Sequence, residues 1–198
     1  NPIPYAIKTG RDNDLKEWWY TYDSSDSKIS LTQYTGEEKQ LWYFKDVVFK
    51  DESTGNYKHG LQLFPYIADG KVMSYVDTNS AAEKIVAKDL NTDGWHNIWV
   101  FVTTNGGTPY ALQTYDGKNY LSNNGGVTKK MGMWNAGPTS DTGTAMYIID
   151  PAEYLADLIA GAKTYTSGTT VGSYTEAAVA SLQPVIKEAE ENLLNKNY

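Results

Sequence analysis

The sequence predicts a mostly β fold, built from three degenerate copies of one repeat and followed by a C-terminal α-helical hairpin. Two observations predict the repeats: a strand-like hexapeptide recurs later in the chain, and three aromatic-apolar segments lie at comparable spacing. Helix-start signals near residues 150 and 173 predict the tail.

The hexapeptide at 4–9, PYAIKT, returns at 109–114 as PYALQT, with Pro, Tyr, Ala and Thr in register. Its alternation of apolar and polar residues is typical of a half-buried strand. The interval between the two copies fits two repeat lengths, so a third, more divergent copy is expected between them.

The second signal is a segment that closes each repeat. These segments are Gln40-Leu41-Trp42, Asn97-Ile98-Trp99 and Ala145-Met146-Tyr147. We therefore expect three repeats of four short strands each, at about 4–46, 57–103 and 109–150. Trp42, Trp99 and Tyr147 are expected at equivalent, buried positions.

Turns and caps set the remaining boundaries. Asp69-Gly70 and Asp116-Gly117 lie between apolar runs and favour tight hairpin turns, because glycine tolerates positive φ. Asp150 before Pro151 predicts a helix N-terminus, and the segment 173–176, SYTE, predicts a capping box for a second helix. The predicted domains are 1–150, β-rich, and 151–198, a helical hairpin.

The closing segments resemble the Q-x-W signature of the ricin-type β-trefoil, intact at residues 40–42 and relaxed at 97–99. In the third repeat, GKNYLS at 117–122 followed by Met133-Trp134-Asn135 resembles the "GKYL…LW(D/N)" course of that family. The resemblance covers about residues 4–150 and implies a β-trefoil that binds carbohydrate. The tail resembles part of the helical FIVAR module of bacterial surface proteins and glycan-active enzymes.

Composition excludes several partners and sites. A formal net charge of −7 argues against nucleic acid and acidic membrane surfaces, which need clustered Lys and Arg. The chain has no cysteine, so disulfides and thiolate chemistry are excluded. No apolar stretch approaches the roughly 18 residues of a membrane span. The segment Asn1-Pro2-Ile3-Pro4 does not resemble a signal peptide. We expect an exported bacterial protein whose signal has been removed, at the cell surface, outside the cell or in the periplasm.

Catalytic signals are missing from the sequence. His59 and His96 have no metal-ligand spacing, and neither a G-x-S-x-G elbow nor a phosphate-cradling loop is present. The acidic residues lie in loops without an identifiable partner carboxylate. We therefore predict no enzyme activity, no metal site and no cofactor.

Sixteen Tyr and six Trp against four Phe suit a surface that binds sugars, since rings stack on apolar C–H faces while amides meet hydroxyls. The ricin-type pattern implies an acidic or amide residue after the second strand and an aromatic residue on the third. For the third repeat the candidates are Trp134, Asn135, Asn123, Asn124 and Tyr120. Weaker candidates in the other repeats are Asp23, Asp26, Tyr34, Asp77 and Trp95.

Three readings stay open at this point. The chain is a module that binds a glycan or polysaccharide, a trefoil that binds or inhibits a partner protein, or a spacer between neighbouring domains of a larger protein. Trp134 discriminates them, because it either packs in the core or faces solvent beside amide groups.

Overall fold

A computed structural model describes residues 4–10, 17–77, 85–90, 94–104, 107–124, 130–168 and 173–196. The chain divides into two compact units, Asn1–Ile148 and Ile149–Tyr198. The first unit contains the strands and the second contains the helices.

Twelve strands and two helices are formed among the described residues. The strands are β1 (Tyr5–Thr9), β2 (Trp19–Asp23), β3 (Lys28–Thr32), β4 (Leu41–Lys50), β5 (Tyr57–Pro65), β6 (Lys71–Tyr75), β7 (Ile85–Asp89), β8 (Trp99–Thr104), β9 (Gly107–Thr114), β10 (Tyr120–Asn124), β11 (Lys130–Trp134) and β12 (Met146–Ile149). The helices are α1 (Pro151–Lys163) and α2 (Glu176–Asn195).

Six strands form a closed ring. Strand β1 pairs with β4, β4 with β5, β5 with β8, β8 with β9, β9 with β12, and β12 returns to β1. Closure matters because a barrel leaves no unpaired sheet edge around its wall.

The other six strands form three antiparallel hairpins, β2–β3, β6–β7 and β10–β11. Each hairpin belongs to one group of four consecutive strands, so the architecture repeats three times along the chain. A six-stranded barrel with three hairpins and a helical pair confirms the predicted fold class, a β-trefoil followed by helices.

The core is built from equivalent positions of the three repeats. Trp42 and Trp99 are fully buried. Trp42 lies opposite Tyr5, the second residue of the hexapeptide at 4–9, and Trp99 lies opposite Leu61, at the corresponding position of the second repeat. The residue opposite Tyr110 is Met146.

The prediction that Tyr147 closes the third repeat is therefore wrong by one residue. A one-residue shift turns a strand side chain to the opposite face. Met146 is 1% exposed and occupies the core position, whereas Tyr147 is half-buried with the Lys8 ammonium 5.6 Å from its ring. The structural counterpart of Gln40-Leu41-Trp42 in this repeat is Thr144-Ala145-Met146.

The closing tryptophans also bind the hairpins through hydrogen bonds. The Trp42 indole Nε1 donates to the Tyr20 carbonyl and the Trp99 indole Nε1 donates to the Met73 carbonyl, each at 3.1 Å. Met146 has no such donor. The third repeat keeps the apolar packing of the closer and lacks its hydrogen bond.

The Gln40 amide ties the first repeat together. Its Nε2 donates to Thr21 Oγ1, Thr32 Oγ1 and the Gln33 carbonyl at 2.9–3.1 Å, and its Oε1 accepts from the Thr35 backbone N–H and hydroxyl. The side chain is completely buried. Five hydrogen bonds compensate the cost of burying this amide and fix the first hairpin on the barrel.

The helical unit begins as the sequence predicts. Asp150 caps α1 by accepting from the Ala152 N–H, with Pro151 as the first helical residue. The cap of α2 is Thr175, which accepts from the Ala178 N–H, so the capping box expected at Ser173 lies two residues too early. Among the described residues, neither helix is long and apolar enough to cross a membrane.

We expect Trp42→Ala to lower the free energy of unfolding by about 3–5 kcal/mol, because it leaves a large cavity in the core. The matched control is Val48→Ala on the same strand, where the side chain is 58% exposed, and its cost should stay below about 1 kcal/mol. Chemical denaturation measures both. Equal costs for the two variants would contradict the assignment of Trp42 to the core.

Stability should also depend on pH at the turn that joins β4 to β5. There the Lys58 ammonium and the Ser53 N–H and hydroxyl hold the pKa of Asp51 far below its usual range. A lowered folded-state pKa stabilises the fold above the unfolded value of about 3.9, and this contribution is lost as pH falls further. The difference in Tm between wild type and Asp51→Asn should therefore shrink from about pH 4 downward. A constant difference between pH 7 and pH 2.5 would contradict this.

Candidate functional site

The third hairpin presents two aromatic side chains on the face turned away from the core. Met131 and Met133 of β11 are buried in the core, and strand alternation places Trp134 on the other face. Tyr120 lies directly opposite Trp134 in the β10–β11 register. Side chains of such a cross-strand pair are direct neighbours.

Trp134 is 41% exposed, the highest exposure among the six tryptophans, all of which the structure describes. The next residue, Asn135, is exposed as well. We call Tyr120, Trp134 and Asn135 the third-repeat ledge.

The Tyr120 ring is fixed in place. The Gln113 Nε2 donates to the Tyr120 hydroxyl at 3.0 Å and to the Gly117 carbonyl at 2.8 Å. Gly137 packs against the same ring, since a Cβ built there would lie 3.1 Å from Tyr120 Cζ. The ledge therefore has one rigid, half-buried ring and one exposed ring.

Neither of the other repeats has this pair. The cross-strand positions that correspond to Tyr120 and Trp134 hold Trp19 and Thr32 in the first repeat. In the second repeat they hold Val72 and Lys88. The ledge is consequently a feature of one repeat and is not required by the fold.

Asn123, predicted as a ligand-binding amide, lies in the core. It is 1% exposed and its Nδ2 donates to Thr9 Oγ1 at 3.1 Å. It takes the position of Tyr22 and Tyr75 in the other hairpins, because all three residues face inward at the same step of the register. The structure therefore separates Asn123 from the ledge. The side chain of Asn124 lies outside the described part of the chain.

The first-repeat candidates occupy opposite ends of the β2–β3 hairpin. Asp23 and Asp26 are exposed in its turn, where Asp23 accepts from the Ser25 N–H and hydroxyl, which lower its pKa. Asp26 accepts from the Lys28 N–H and pairs with the Lys28 ammonium. Both carboxylates thus shape the turn.

Tyr34 lies at the other end of this hairpin. Its ring centroid is 4.5 Å from that of Trp19, which is 1% exposed, and burial raises the pKa of Tyr34. Tyr34 packs on buried Trp19 at that end of the hairpin, and the structure does not bring it together with Asp23 and Asp26.

The second-repeat candidates are also apart. Trp95 lines a cavity of about 460 Å³ together with Gln62 and Asn97, and its ring lies 5.8 Å from that of Tyr115. Gln62 Nε2 donates to Asn97 Oδ1, and Asn97 Nδ2 donates to the Leu90 carbonyl, so these amides bind each other and the backbone. Asp77 is half-buried after β6 and is not among the described residues around this cavity.

Sequence reasoning missed the residues that support the ledge. Gln113 belongs to the recurring hexapeptide, where the first copy has Lys8, and Gly137 follows in a loop without a recognisable pattern. Only their contacts with Tyr120 identify them. In the described residues, no group of three His, Asp or Glu side chains is arranged to hold a metal ion.

Solved structures similar to this chain include a β-trefoil and several lectins. The designed threefold-symmetric protein ThreeFoil matches 74% of this chain and 98% of its own length, with a TM-score of 0.55 and 12% identity. These comparisons show the β-trefoil fold, which lectins among the similar structures share. SeviL bound to asialo-GM1 saccharide matches this trefoil over 76% of the chain and 99% of its own length, at a TM-score of 0.51 and 14% identity.

The lectin of Polyporus squamosus, bound to the epitope Neu5Aca2-6Galb1-4GlcNAc, matches 96% of this chain and 77% of its own length. Its TM-score is 0.56 and its identity 10%. No protein-family model matches the sequence, and no curated protein is similar to it by sequence. The resemblance of this trefoil to the lectins is therefore one of fold.

The exposure of the ledge predicts an order of chemical modification. Limiting N-bromosuccinimide should oxidise Trp134 before the other tryptophans, with the half-buried Trp95 next and the buried Trp42 and Trp99 last. Peptide mapping by mass spectrometry reads out the order. Oxidation of Trp42 or Trp99 ahead of Trp134 would contradict the placement of the ledge at the surface.

Proposed function

We propose that this chain is a non-catalytic carbohydrate-binding module, which holds a glycan on the third-repeat ledge. The observation that carries the proposal is Trp134: a large ring on a core-forming hairpin that faces solvent beside Tyr120 and Asn135. The lectin fold supports the choice of ligand class, because two of the similar structures are bound to saccharides.

The ledge has the parts that a saccharide needs. The exposed indole of Trp134 offers a flat apolar surface for the C–H face of a sugar ring, while Tyr120 is already held by Gln113 and Gly137. A rigid ring loses little conformational entropy on binding. The exposed Asn135 amide can both donate to and accept from sugar hydroxyls.

A single shallow ledge should bind weakly, near the millimolar level that corresponds to about −4 kcal/mol. Such a site suits a module of a larger glycan-active or surface protein, in which several sites act together through avidity. We propose that the protein is exported, bacterial and located at the cell surface or outside the cell. The resemblance of the tail to the FIVAR module of bacterial surface proteins supports this placement.

The test is titration of wild type and Trp134→Ala against galactose, N-acetylgalactosamine, N-acetylglucosamine, mannose and their β-linked disaccharides. Trp134→Ala should weaken binding at least tenfold, because it removes the stacking surface, while Tm changes little, because the side chain is not in the core. Asn135→Ala should weaken binding less, by about 0.5–1.5 kcal/mol for a lost hydrogen bond.

Tyr57→Ala is the matched control, since Tyr57 is 75% exposed at the start of barrel strand β5, in a different repeat. This variant should bind as wild type does. If no sugar binds the wild type, or if the Trp134→Ala variant is unfolded, the ledge is a packing feature. A trefoil that binds a partner protein then replaces the proposal.

A further inference from the structure

A second aromatic surface lies on the barrel wall, where the first repeat meets the second. Tyr43 of β4 and Phe64 of β5 are directly opposite each other in the register, on the face turned away from Trp42. The Tyr66 ring, just beyond β5, lies 5.2 Å from the Tyr43 ring. We call Tyr43, Phe64 and Tyr66 the wall cluster.

The fold does not require aromatic side chains here. The register places Val100 and Gln113 at the corresponding positions where the second repeat meets the third. Where the third repeat meets the first, the counterparts are Tyr147 and Lys8, and the lysine ammonium covers the tyrosine ring. A pair of outward-facing rings therefore occurs at one of three equivalent junctions.

The wall cluster borders a cavity of about 480 Å³, within the range of small-molecule sites. The turn that forms its rim is held by the Tyr66 N–H, which donates to the Leu41 carbonyl at 2.9 Å. Gly70 completes that turn with a φ of +73°. This backbone fixes Tyr66, which is 37% exposed, beside Tyr43.

The rim of the cavity is polar. Lys45 of β4 and Asp69 of the turn after β5 are exposed and line it, and the hydroxyls of Tyr43 and Tyr66 interact. Burial raises the pKa of Tyr43, and the neighbouring Tyr66 raises it further, so the Tyr43 hydroxyl stays protonated and able to donate. An alkyl ligand would contact only the rings and form no hydrogen bond with the rim, whereas a sugar ring offers apolar faces to the rings and hydroxyls to the rim.

We propose that the wall cluster is a second saccharide site, which takes one or two neutral sugar units and is independent of the third-repeat ledge. The proposal shares the ligand class of the proposed function and differs in its site. Two sites on different repeats would let one module bridge two positions of a polysaccharide, which raises avidity without any new contact.

The experiment is backbone-amide NMR of the full chain with each sugar of the panel, up to about 50 mM because sites of this kind bind at the millimolar level. The amides of Ala68, Asp69 and Gly70 report the wall cluster, and those of Asn135 and Gly137 report the ledge. In wild type, a bound sugar should shift the first group. In Tyr66→Ala, the apparent Kd obtained from the shifts of the first group should rise at least tenfold.

The control variant Tyr57→Ala should leave both sets of shifts unchanged. In Trp134→Ala the wall-cluster shifts should persist, so failure of the ledge and failure of this proposal are separable. The proposal is overturned if no sugar of the panel shifts residues 68–70, if Tyr66→Ala keeps those shifts, or if Trp134→Ala removes them. If a hydrophobic dye shifts the amides of residues 68–70 and no sugar does, the cavity is an apolar groove and the proposal is wrong.

Discussion

The fold depends on the contacts that each closing segment makes with its own hairpin. In the first repeat a buried Gln40 amide makes five hydrogen bonds and the Trp42 indole donates to the Tyr20 carbonyl. These bonds connect the barrel wall to the hairpin that packs on it. Because a buried amide is costly when unpaired, a hairpin that moved would leave several polar groups unsatisfied at once. The position of the hairpin is thereby fixed, together with every side chain that it carries to the surface.

The same contacts weaken from the first repeat to the third. Asn97 keeps two hydrogen bonds and Trp99 keeps its indole bond, whereas Thr144 and Met146 offer neither an amide nor an indole. At the core positions of the third repeat lie Met131, Met133 and Met146, all at most 1% exposed. Methionine is flexible and fills irregular space in a core, which suits a repeat without these polar contacts.

Strand alternation separates the core of each hairpin from its surface. Residues that face inward must fit the shared core. Asn123 is therefore buried, although its amide side chain could hydrogen-bond a ligand at the surface. Residues that face outward are free to differ, and the third hairpin uses this freedom for Tyr120 and Trp134. The barrel wall shows the same division, since Trp42 faces the core while the adjacent Tyr43 faces the cavity of the wall cluster. Binding surfaces can therefore change in one repeat while the fold keeps its threefold form.

The sequence alone determined the fold class, the strand-like hexapeptide and the start of the first helix, because these features depend on local periodicity, on turn residues and on caps. It also identified Trp134 as a candidate. Tertiary structure decided the rest. The choice between Met146 and Tyr147 depends on cross-strand register. The burial of Asn123 depends on which face of its hairpin meets the core, whereas Trp19 is buried on the opposite face of the first hairpin, against the Tyr34 ring. The wall cluster joins residues from two repeats, so only pairing of β4 with β5 brings Tyr43 and Phe64 together. Sequence patterns specify which face a side chain takes along its own strand, whereas its neighbours across strands are set by the closed barrel.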